Sequence, residues 1–154
     1  MTSRREIAYH LYFTTYGTWL HGDARNSWDR HEHVQKPPDP VLEEHRRHQL
    51  KHQPTLLSDE MRRVVDAALR EVGDFRGWHT HALNVRTNHV HAAVAAVDEP
   101  SKMLHDFKAY ATRRLRKAGL VTPTTKVWTR KGGVKGVYHP EGLADLINYI
   151  VHGQ

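Results

Sequence analysis

The chain of 154 residues has no cysteine, which excludes disulfides and thiolate metal sites and suits a reducing compartment. No apolar run is long enough to span a bilayer, and the opening "MTSRREIAYHLYFTTYG" lacks the apolar core of a secretory signal. The expectation is a soluble cytoplasmic protein. Internal repeats and low-complexity tracts are also missing. Acidic residues are in the minority, 17 against 23 Lys and Arg, giving a formal charge of +6. That balance favours an anionic partner, nucleic acid first among the candidates. The length fits one domain over residues 1–154 with a sizeable core.

Histidine is in excess, at 14 residues. Many, including His21, His31, His33, His45, His48 and His52, fall in a polar insertion over about 21–57 and read as scattered surface residues.

Residues 7–16, "IAYHLYFTTY", alternate bulky and polar side chains and predict a strand. A short helix is expected over "PVLEEHRRHQLKH", entered at Asp39–Pro40. A stronger one follows Ser58, with Met61, Val64, Val65, Ala68, Leu69 and Val72 at helical spacing and Gly73 as its stop. "WHTHALNVRTNHVHAAVAAV" predicts two antiparallel strands turning at Arg86–Asn88. A serine-capped helix is expected over 101–118, with Leu104, Phe107, Ala111 and Leu115 on one stripe. "KVWTRKGGVKGVYH" supplies one strand, or a hairpin bent at Gly132–Gly133. A last helix places Leu143, Leu146, Ile147, Ile150 and Val151 on its apolar face. The order strand-helix-strand, strand-helix-strand, then helix predicts an α/β (α+β) ferredoxin-like sandwich. Its antiparallel sheet would have helices packed on one face and a further C-terminal helix.

In "RTNHVHAAVAAV", His89 and His91 share one strand face while Val90 points to the other. Two imidazoles at i and i+2 can converge on one metal ion. His79 and His81 have the same spacing, so spacing alone does not choose between the pairs. A histidine-triad nucleotide hydrolase would need a third histidine at position 93, where Ala93 stands. A two-histidine phosphodiesterase would need two His-x-Thr/Ser elements, which neither pair forms. On the terminal helix, Tyr149 lies roughly 130° from the centre of the apolar stripe, so core packing does not explain it. Tyr110 is also off its helix's stripe, but Met103 and Arg114 flank it and edge packing suffices. Arg113, Arg114, Arg116, Lys117 and Lys108 make that helix strongly basic, either as a solvated face or as a track for a phosphate backbone. Trp19, Trp28, Trp78 and Trp128 suit core packing or stacking on bases.

The His-hydrophobic-His strand, a basic helix containing "FKAYATRRLR", a glycine-rich strand and then "INYIVHGQ" resemble the single-tyrosine HUH transposases. "TTYGTWLHGD…DR" and "HALNVRTNHVHAAV" are most similar to the REP-associated tyrosine transposase branch. The likeness runs from about residue 7 to the end. It implies that His89 and His91 hold Mg²⁺ or Mn²⁺ and that Tyr149 is the nucleophile. It further implies Gln154 as third ligand, with His152 as the alternative. Gln154 is five residues past Tyr149, roughly 140° round an ideal helix, and could return to the metal if Gly153 ends the helix in a left-handed turn. The implied activity is a single-stranded DNA transesterase acting at hairpin-forming repeats through a 5′-phosphotyrosine, in a protein that is commonly a homodimer. Two other readings stand beside it. One is a non-catalytic single-stranded nucleic-acid-binding regulator on the same scaffold; the other is a metal-dependent phosphodiesterase using activated water.

Overall fold

A computed structural model of the chain describes residues 5–18, 27–29, 34–36 and 53–153. The helix expected over 40–52, Trp19 and Gln154 lie outside the described residues, and so does most of the polar insertion. Strand β1 (Ala8–Thr15) is followed by a small antiparallel ribbon, β2 (Ser27–Asp29) with β3 (Val34–Lys36). Then come α1 (Asp59–Arg76), β4 (His79–Val85), β5 (His89–Ala95), α2 (Pro100–Lys117), β6 (Trp128–Val137) and α3 (Pro140–His152). The main sheet runs β4-β5-β1-β6, every neighbour antiparallel, which is the ferredoxin-like order.

Period-two alternation decides what each face of this sheet receives. From β1, Leu11 and Phe13 enter a closed apolar layer with Val90, Ala92 and Val94 of β5. Val65, Leu69 and Val72 of α1 and Met103, Phe107, Ala111 and Leu115 of α2 complete it. The opposite face is covered in part by α3, whose Ile150 is buried against Ala82 and Ala93, with Leu143, Leu146 and Ile147 packed around it. Because β5 is central and covered on both sides, Ala92 and Ala93 are both buried. Val151, expected on that apolar stripe, is instead 52 % exposed, because a 13-residue helix meets the sheet along a narrower line than the sequence stripe suggests.

Two helix boundaries differ from expectation. Ser58 caps α1 as predicted, its hydroxyl accepting from the Met61 N–H at 3.2 Å. Gly73 does not stop the helix; Gly77 does, at φ +75°. Gly73 is buried within the last turns because a Cβ there would press on Thr80 Oγ1 at 3.1 Å. Helix α2 starts one residue earlier than expected, with Pro100 in its first turn and no side-chain cap. The glycine pair does not bend β6 into a hairpin, and residues 128–137 form one strand along an edge of the sheet.

The segment 53–58 ties the end of the sheet together. Thr55 N–H donates to Tyr16 O and Leu57 N–H to Thr87 O, while the Thr55 hydroxyl donates to Lys126 O at 2.7 Å. Among the described residues, no helix is long and apolar enough to cross a membrane.

Candidate active site

The register of the sheet assembles the site on the face that carries α3. Tyr12 pairs with His91 and Thr14 with His89 across β1 and β5, while Asn84 pairs with His91 across β4 and β5. Directly paired residues point the same way, so His10, Tyr12, His89, His91 and Asn84 share one face. The Asn84 side-chain amide donates to Ile150 O at 2.8 Å, fixing α3 one residue beyond Tyr149. The Tyr149 ring then stands edge-on to His91, with ring centroids 5.8 Å apart and planes at 86°. His89 lies beside His91 at 5.2 Å between centroids. The three residues singled out from sequence therefore meet.

These imidazoles are oriented by partners. His89 Nδ1 lies 2.8 Å from Asn88 Oδ1, an acceptor, so Nδ1 carries a proton, and in the neutral ring the lone pair is on Nε2. His91 Nδ1 lies 2.8 Å from His10 Nε2. Burial, with smaller contributions from His10 and His89, holds His91 well below the usual imidazole range, at about 4. It is neutral across the physiological range. Burial, with Lys135 nearby, lowers His10 too. Tyr12 packs along the pair, its ring 5.1 Å from His10 and 6.1 Å from His91. That ring lies across β6 at Gly133, where any Cβ would run into it. The glycine-rich strand is thus the bed on which the aromatic support of His91 rests.

Whether the pair suits a metal can be tested by distance. An ion bound at about 2.1 Å lies roughly 3.3 Å from the centre of its imidazole, so two rings sharing one ion have centres roughly 4.7–5.4 Å apart. His89 and His91 fall in that interval. His79 and His81, at 4.3 Å, do not. A bulge between Thr80 and Ala82 breaks the alternation there, which is why equal sequence spacing gives unequal geometry. His10 is a partner to His91 rather than a ligand, since the 2.8 Å nitrogen–nitrogen contact leaves no room for an ion between them. Orientation of a ligating imidazole through its second nitrogen is the common arrangement in metal sites.

Of the proposed third ligands, Gln154 lies outside the described residues and His152 is exposed at the end of α3. Among the described residues, no three His, Cys, Asp or Glu side chains form a ligand cluster. Gly153 does not take the left-handed turn that would return Gln154 toward the metal; its φ is −94°, and its N–H donates to Tyr149 O at 2.8 Å. A Cβ there would press on the Tyr149 ring at 3.0 Å.

The basic residues of α2 divide. Arg114 turns to α1 and pairs with Glu71, so its role is to join the two helices. Arg113, Arg116 and Lys108 line a cleft against β6, while Lys117 is exposed at the helix end. Tyr110 packs on the core edge under the Arg113 guanidinium, as its flanking residues suggest. Trp78 and Trp128 are core residues set edge-on to Phe107 and Phe13, so neither offers a free face for stacking. His10, Tyr12 and Asn84 escaped the sequence reading. For His10 and Tyr12 the signal was β1's alternation, read there only as evidence for a strand; Asn84, on β4, has none in the sequence.

Fold and site together define a class: an α+β sandwich presenting two oriented imidazoles to a helix-borne tyrosine. Known structures share this fold. A candidate transposase from Deinococcus radiodurans R1 superposes with a TM-score of 0.57 over 98% of this chain and 93% of its own, at 18% identity. The REP-associated tyrosine transposase bound to a REP hairpin gives 0.54 over 97% and 68%, at 10% identity. No family model and no curated protein matches the sequence.

Proposed function

We propose that the protein is a metal-dependent single-stranded DNA transesterase of the single-tyrosine HUH type, acting at hairpin-forming sequences. The observation that carries this reading is the contact of Tyr149 with His91, which has His89 beside it on the same sheet face. The shared fold of a transposase bound to a DNA hairpin supports it.

His89 and His91 would hold the ion, through the ring nitrogens opposite those engaged by Asn88 and His10. Neutral imidazoles suit Mn²⁺ better than Mg²⁺. When bound, the ion would draw negative charge from the scissile phosphate. Tyr149, 45 % exposed on α3, has access to a strand lying over the sheet. Its phenolate oxygen attacks the phosphorus, the bond to the 3′ oxygen breaks, and a 5′-phosphotyrosine remains. The phenolic proton passes to solvent and the departing 3′ oxygen takes one up. One phosphodiester is exchanged for another, so rejoining needs no ATP.

The test is a denaturing gel on protein mixed with end-labelled single-stranded hairpin DNA, with Mn²⁺ or chelator. A metal-dependent covalent adduct is expected, lost in Tyr149→Phe and kept in Tyr110→Phe. Cleavage without adduct would point to hydrolysis by activated water. Binding without cleavage across several hairpins would leave a non-catalytic regulator.

A further inference from the structure

Neighbouring residues of a strand send their side chains to opposite faces, so those side chains do not touch. Asn88 and His89 depart from that rule, with Asn88 Oδ1 lying 2.8 Å from His89 Nδ1. The contact exists because Asn88 belongs to the turn and β5 begins at His89. It lasts only while the turn keeps one shape, and the tip of a hairpin is ordinarily the part freest to move.

This tip is held at four successive residues. Arg86 N–H donates to His89 O at 2.8 Å and closes the turn. Thr87 O accepts from Leu57 N–H at 2.7 Å, and Asn88 O accepts from Thr15 N–H at 2.9 Å. These two donors come from outside the hairpin, Leu57 from the segment 53–58 and Thr15 from the end of β1. Both are themselves fixed. The Leu57 side chain is buried in the α1–α2 layer, and Thr55 beside it is bonded to Tyr16 O and Lys126 O. Thr15 is fully buried; its hydroxyl lies 2.9 Å from Thr18 Oγ1 and 3.4 Å from Asn88 O. A valine would fill the same space with no hydroxyl to satisfy, so packing alone does not account for this threonine.

We infer that Asn88 is a positioning residue that fixes the tautomer of His89, and that Thr15 and the segment 53–58 hold the turn from which it acts. A neutral imidazole takes the tautomer set by the bond its second nitrogen makes. With Asn88 accepting from Nδ1–H, Nε2 keeps the lone pair that a metal ion requires. The two histidines are thus set by different means, His91 by His10 across the strands and His89 by its own turn. This rests on the reading of His89 as a metal ligand, yet the tautomer is measurable in metal-free protein.

The experiment is nitrogen magnetic resonance of the imidazole rings in isotopically labelled, metal-free protein at mildly alkaline pH, with Mn²⁺ affinity measured separately. The parent should carry the His89 proton on Nδ1. Asn88→Ala should give mixed tautomers and weaken Mn²⁺ binding about 10- to 100-fold, with denaturant unfolding unchanged. Asn88→Asp, which keeps the acceptor oxygen, should restore both tautomer and affinity. The Leu57 and Thr15 amides should exchange slowly with solvent. A parent protonated on Nε2, or a tautomer that Asn88→Ala leaves unchanged, would overturn the inference, and fast exchange at Leu57 would strike the segment 53–58 from it. A fixed tautomer released by Asn88→Ala, in a parent that binds no Mn²⁺, would leave the positioning standing and sink the metal reading.

Discussion

The two faces of the sheet are made from the same strands and have opposite characters. Alternate residues of β1 and β5 send Leu11, Phe13, Val90 and Ala92 into the layer closed by α1 and α2, and His10, Tyr12, His89 and His91 toward α3. The first face is dry and filled. The second is held by a hydrogen bond between half-buried imidazoles, by the Asn84 amide donating to Ile150 O, and by ring packing of Tyr12. A single register therefore serves both stability and chemistry, and a one-residue slip would exchange the two sets. Stability sits on the α1–α2 side, while precision of the site sits on the α3 side.

That division predicts unequal responses. Phe107→Ala, which empties the centre of the closed layer, should cost about 3–5 kcal/mol in denaturant unfolding. A loss below about 1 kcal/mol would mean the layer is not the stability centre. Gly133→Val drives a side chain into the Tyr12 ring and should cost about 1–3 kcal/mol. Its larger consequence would be loss of metal uptake, because Tyr12 supports His91; uptake at the parent level would show that the aromatic bed is not needed. His10→Ala should leave unfolding nearly unchanged and weaken Mn²⁺ binding about 10- to 100-fold, since it removes the partner that orients His91. An unaltered affinity would reduce His10 to packing.

Much of the fold was readable because periodicity and composition agree over long segments: α1 begins after Ser58 as predicted, and α2, β5 and the Arg86–Asn88 turn stand within a residue or so of their predicted places. What failed did so where a contact from elsewhere overrode a local signal. Gly73 looks like a stop because the sequence does not reveal Thr80 pressed against it. Val151 looks apolar-facing because a stripe does not state how much of itself the sheet will cover. In the site, His89, His91 and Tyr149 were legible from residue type and order. His10 and Asn84 were not, because their roles come from pairing between β1, β4 and β5, a relation between distant segments. The different ring spacings of His89–His91 and His79–His81 likewise go with an irregularity in β4 that sequence spacing does not disclose.

The most direct test of the site is a Mn²⁺ titration followed by electron paramagnetic resonance, on the parent protein, His89→Ala, His91→Ala and His79→Ala/His81→Ala. One bound ion is predicted in the parent and in the His79/His81 variant, with loss in both single variants of β5. Undiminished uptake by His89→Ala and His91→Ala, or loss confined to the β4 pair, would contradict the account.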